Sequence, residues 1–114
     1  MRGWYVAVAA VLLGAAAVPG SAQDAKKIER GKAVYVEQKC KLCHQLAGEG
    51  NAKGPLDEVG SKLKPEEIKA WLVDPKTAAA KHKATRKPAM KAYDTLPAAD
   101  LDALVAFMES CKKK

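Results

Sequence analysis

Five consecutive residues, Cys40-Lys41-Leu42-Cys43-His44, hold the densest chemistry in the chain. Two thiols three residues apart, with an imidazole directly after the second, form the C-x-x-C-H pattern of haem c attachment. The thiols add across two vinyl groups as thioethers, and the adjoining imidazole is then delivered to the iron. Two other chemistries use the same residue types. A thioredoxin-type dithiol follows a strand in a βαβ unit, whereas the segment before Cys40 reads as a helix. Half of a zinc site would need further donors; Cys111 and His82 are the candidates, and neither belongs to a second C-x-x-C or H-x-x-H pair.

An iron held by one histidine calls for a further ligand, and Met90, Met108, His82 and the lysines are the candidates. Met108 sits on the apolar face of the last helical segment and reads as core. His82 lies in a lysine-rich stretch, reads as a solvated surface histidine and is the second choice. Met90 lies in Lys87-Pro88-Ala89-Met90-Lys91-Ala92-Tyr93, where a loop can bring a thioether to the iron without helical constraint, and it is the expected ligand. Cys111 reads as a free thiol near the last helical turn, with pairing between molecules as the other option.

The elements that must position these groups are helical. In Asp24–Lys39 the residues Ile28, Gly31, Val34 and Tyr35 share one face at helical spacing. Gly31 costs about 1 kcal/mol against Ala in a helix interior, which makes sense where another backbone approaches closely. Residues 48–55 are a loop by composition. A second helix starts near Pro65, with Glu66 and Glu67 at its positive end and Ile68, Trp71 and Leu72 on its inner side; Asp74-Pro75 stops it. Thr77–Lys87 is a short helix or coil, and Arg86–Leu96 is irregular. Pro97–Ser110 is the clearest helix, with Leu101, Leu104, Val105 and Met108 in register and Phe107 beside them. No β alternation and no internal repeat stands out. The expected class is all-α, three to four helices with long loops.

The chain has 114 residues, which excludes a multidomain enzyme or a membrane bundle. Hydrophobic residues reach 48% but aromatics only 5%, a thin supply for a core, and a bound haem would fill the deficit. Residues 1–22 read as an export signal: Arg2 at the start, the apolar run Val6–Val18, then Pro19 and the small residues Gly20-Ser21-Ala22. The run is shorter than the roughly 20 apolar residues of a membrane span, so no stable span is expected after cleavage, and residues 23–114 form the domain. Export fits the motif, since haem c is attached outside the bacterial cytoplasm; the expected location is the periplasm. The formal charge of +7 loses only Arg2 on cleavage. Lys39, Lys41, Lys53, Lys81, Lys83, Lys87 and Lys91 cluster near the motif and the Met90 loop. They could steer an acidic redox partner or simply form a solvated face. Nucleic acid is not an expected partner.

Taken together, Gly31, Tyr35, the Cys40–His44 motif, Gly54-Pro55-Leu56, Trp71, Lys87-Pro88-Ala89-Met90, Leu104 and Phe107 resemble the class I c-type cytochromes of small soluble bacterial kind, over nearly all of residues 23–114. The resemblance implies the cytochrome c fold, with its first and last helices crossing tightly at Gly31 and the aromatic residues. It also implies one covalent haem c on Cys40 and Cys43, with His44 and Met90 on the iron. The Pro55 carbonyl would accept from His44 Nδ1–H, fixing the tautomer. Trp71 would stand in the haem surroundings, in an apolar pocket with Tyr35, Leu56, Ile68, Leu101, Leu104 and Phe107. Lys91 stands where many relatives have proline after the ligand methionine, and Pro97 where a capping Ser or Thr is common. The function implied is a periplasmic one-electron carrier, not an enzyme. The alternatives are a haem subunit of a larger oxidoreductase, or an open-site haem enzyme or sensor should Met90 not ligate.

Overall fold

The computed structural model describes residues 3 and 19–113. The expected export signal lies outside the described residues except for residue 3 and residues 19–22, the latter within the first helix. That helix, α1, spans Pro19–Glu37.

The face read from the sequence is the buried one: Gly31, Val34 and Tyr35 are buried and Ile28 half-buried. The Glu37 carboxylate lies 3.1 Å from Arg30 Nη1, and Arg30 also grips Asp100 with two bonds of 2.9 and 3.0 Å. After α1 the chain turns through Lys39 at φ +55° into a 3-10 turn, Cys40–Leu42. A two-residue antiparallel ribbon follows, β1 Gln45–Leu46 with β2 Glu49–Gly50. Four more helices complete the described chain: α2 Val59–Lys62, α3 Pro65–Val73, α4 Pro75–Lys81 and α5 Ala98–Ser110.

The fold is all-α, as expected, with five α-helices among the described residues. The addition is α2; α4 is the helical outcome of the stretch that read as short helix or coil. Asp74-Pro75 ends α3 and in the same stroke starts α4, because Asp74 Oδ1 accepts from Thr77 N–H at 3.3 Å and Pro75 occupies the first turn. At α3, Glu67 Oε1 accepts from Lys64 N–H at 3.1 Å, satisfying one amide before the helix.

α1 and α5 cross at Gly31. A β-carbon there would collide with the Ala103 carbonyl and with Phe107 Cβ, so only glycine lets the two backbones approach. Tyr35 meets Phe107 edge to face beside this contact, centroids 5.8 Å apart. The core extends from the crossing through Leu104 and Met108 to Ile68 and Leu72 of α3. Each such side chain contributes about 1.5–3 kcal/mol when fully buried. Cys111 is a free thiol at the end of α5, its Sγ 3.4 Å from the Phe107 carbonyl, and burial pushes its pKa up. Among the described residues no helix is long and apolar enough to cross a membrane.

Candidate haem site

The motif is folded by one carbonyl. Cys40 C=O accepts from both Cys43 N–H (3.2 Å) and His44 N–H (2.9 Å), which winds both cysteines and the histidine into a single tight turn. The left-handed Lys39 just before it breaks the path of α1, so the turn sits across the helix end instead of continuing it. The thiols differ. Cys40 is half-buried, and desolvation pushes its pKa up to about 11, whereas Cys43 is exposed.

His44 is held from behind. Its Nδ1–H donates to the Gly54 carbonyl at 3.1 Å, which leaves Nε2 without a proton and available to a metal. The acceptor is therefore not Pro55, as the family resemblance implied, but the residue before it. The backbone gives the reason. Gln45 N–H also donates to Gly54 C=O (2.9 Å), and Leu56 N–H returns a bond to Gln45 C=O (2.8 Å). This short parallel bridge between Gln45 and Pro55 aims the Gly54 carbonyl at the imidazole. Gly54 itself is buried, and a β-carbon there would strike Arg86, the Cys43 carbonyl and, at 2.9 Å, His44 Nδ1. Burial, the largest influence, and the nearby Arg86 hold the His44 pKa below the usual histidine range against the opposing Gly54 bond. The ring is thus held toward its neutral form, with Nε2 free to bind a metal.

In front of the motif lies a cavity of about 1180 Å³, beyond the ~300–1,000 Å³ of most small-molecule pockets. Cys40, Cys43, His44, Pro55, Trp71 and Met90 all stand on its wall. Two other ligand candidates behave differently: Met108 is buried in the core at 5% exposure while also lining the cavity, and His82 does not line it. His82 instead stacks on Trp71, ring centroids 5.7 Å apart and planes inclined 23°. Tyr35, Leu56, Ile68 and Leu104 line the cavity as expected, but Leu101 and Phe107 do not; they serve the core and the α1–α5 contact. Sequence reasoning missed Gly54, Arg86 and Tyr93. Of these only Gly54 left a signal, as a glycine beside Pro55; Tyr93 reaches the wall because its N–H donates to the Leu72 carbonyl at 2.6 Å.

The wall fits a tetrapyrrole. It offers two free thiols and a neutral imidazole at one place, a thioether from a separate loop, and an apolar lining between them. Tyr35 Oη, buried on this wall without a hydrogen-bond partner, marks a boundary completed by something besides protein. A helical shell around such a cavity, with C-x-x-C-H on its wall, is the architecture of a protein that carries haem c.

Comparison with known proteins agrees. The cytochrome c family model matches residues 28–112, and the chain belongs to that family, whose haem c is bound covalently. A cytochrome c oxidase subunit 2 of Alkalihalophilus pseudofirmus (strain ATCC BAA-2126 / JCM 17055 / OF4) is 28% identical over 92 residues, covering 73% of this chain and 25% of that protein. The chain thus spans about a quarter of the length of the curated relative it matches. No solved structure matches it.

Proposed function

We propose that the chain is an exported one-electron carrier of the class I kind, holding a single haem c on Cys40 and Cys43 with His44 and Met90 as iron ligands. The carrying observation is that Met90 and His44, from separate segments, stand on the wall of one cavity. Haem c, when bound, supplies a one-electron Fe(III)/Fe(II) couple. His44 and Met90 as two permanent ligands leave no coordination position for substrate, which favours a carrier over an enzyme. Methionine with histidine raises the reduction potential, and the apolar wall of Leu56, Ile68 and Leu104 adds to this by disfavouring net positive charge. The export reading rests on the pattern of residues 1–22 and places the protein in the periplasm.

The surface around the cavity supports an acidic redox partner. Lys39, Lys53, Lys76, Arg86, Lys87 and Lys91 line it, against the single carboxylate of Asp74. Lys41, Lys81 and Lys83, grouped with them from the sequence, do not line it; Lys76 and Arg86 take their place. Such a cationic margin speeds encounter with an acidic surface. The match to part of an oxidase subunit favours one second reading, that this domain works as the haem component of a larger respiratory oxidoreductase.

The test is an absorption spectrum of the oxidised holoprotein beside Met90→Ala. The weak iron–thioether band is expected in the parent and absent from the variant. A parent spectrum lacking it, with an iron that binds added small ligands, would replace the carrier by an open-site haem protein.

A further inference from the structure

Outside the motif, one cluster of side chains joins the protein surface to the cavity wall. Trp71 lines the cavity, and its indole stacks on His82, which does not line it. Glu67 holds the other side of the histidine: its Oε2 lies 3.7 Å from His82 Nε2, and its Oε1 is pinned by Lys64 N–H. The His82 backbone is fixed as well, since its N–H closes α4 on the Ala78 carbonyl at 3.0 Å. Both side chains keep about a third of their surface in water, 32% and 30%, so a proton can reach the imidazole.

We propose that His82 is a positioning residue for the electron-transfer site, and that its protonation, transmitted through Trp71, raises the reduction potential as pH falls. This rests on the proposed haem electron-carrier function. Histidine is the side chain that changes charge between about pH 5 and 8. An imidazolium at this place lies against an indole face, which attracts cations, and beside the Glu67 carboxylate. Its charged neighbours in the chain are Lys81 and Lys83, one on each side. A positive charge one aromatic ring away from the cavity opposes the extra positive charge of the oxidised site, so the reduced form is favoured in acid. Linkage makes the effect reciprocal: oxidation weakens proton binding at His82 by the same factor by which protonation favours reduction. A factor of about five, at the low end of such couplings, corresponds to about 40 mV at 59 mV per tenfold for one electron.

The experiment uses the haem-loaded chain. Midpoint potentials are measured from pH 5 to 8 for the parent, His82→Gln and Glu67→Gln, and the His82 ring protons are titrated by NMR in both oxidation states. The expected result is a parent profile about 40 mV higher at the acid end after subtraction of the His82→Gln profile. The step persists in Glu67→Gln, and the NMR titrations of the two oxidation states differ about fivefold. Other ionising groups act in parent and variant alike and cancel in the difference. Parallel parent and His82→Gln profiles, or identical His82 titrations in the two oxidation states, overturn the inference while leaving the carrier reading intact. A secreted chain without haem would remove the carrier reading, and the inference with it.

Discussion

The α1–α5 crossing gives the sharpest test of the fold. Replacing Gly31 by Ala in an ordinary helix stabilises it by about 1 kcal/mol, because glycine loses more backbone freedom on folding. Here the added methyl points into the Ala103 carbonyl and Phe107 Cβ. The carbonyl belongs to the backbone of α5 and cannot rotate away, so the helices must separate. Ala103 and Leu104 are only 2% and 1% exposed, so separation loosens the best-packed part of the core. Overpacking of this sort costs about 1–3 kcal/mol, enough to cancel the propensity gain or exceed it by about 2 kcal/mol. For a domain of this size each kcal/mol moves the midpoint by roughly 4–8 °C. Thermal and denaturant unfolding of holoprotein should therefore show Gly31→Ala no more stable than the parent and Gly31→Val clearly less so. A Gly31→Ala variant stabilised by the full helix-propensity increment would refute the close crossing.

Other consequences are equally open to measurement. The Tyr35 hydroxyl has no protein partner, and an unsatisfied buried hydroxyl is a burden of about 1–3 kcal/mol; Tyr35→Phe should therefore melt higher before haem is attached and lose that advantage once the cavity is filled. Desolvation, the main cause, pushes the Tyr35 pKa up to about 12; its contribution to stability is intact below the ordinary phenol value near 10 and is lost as pH rises through about 12. The alkaline slope of stability should accordingly flatten in Tyr35→Phe. Gly54→Ala crowds His44 Nδ1 and weakens the bond that keeps the imidazole basic, so voltammetry should give a higher midpoint potential. Electron transfer to an acidic acceptor should slow as ionic strength rises, and Lys76→Glu with Lys87→Glu should slow it further at low salt.

What could be read from the residues alone was local. C-x-x-C-H states its chemistry within five positions, and α1 and α5 announce themselves because their buried residues recur at the helical period. α2 has only four residues, too few for any period. It is placed by the rest of the fold, through Gly60 N–H on the Cys111 carbonyl at 2.7 Å. α4 stayed between helix and coil because Pro75–Lys81 is mostly alanine and lysine, and its start depends on the Asp74 side chain. The choice of Gly54 over Pro55 behind His44 follows from the bridge to Gln45, which no spacing rule reveals. Leu101 and Phe107 missed the cavity because α5 buries two faces, one on α1 and one on α3, and periodicity does not say which neighbour each residue meets. Met90 and Trp71 reached the wall from loop and helix alike, but only the folded chain shows them beside the motif.

The joining of α1 to α5 also bears on the order of events during manufacture. Arg30 and Asp100, which clasp across this contact, are separated by 70 positions, and drawing such distant stretches together is entropically costly and slow. The α1–α5 contact therefore belongs among the late steps of folding, and a chain that has not made it lacks the best-packed part of its core, Ala103 and Leu104.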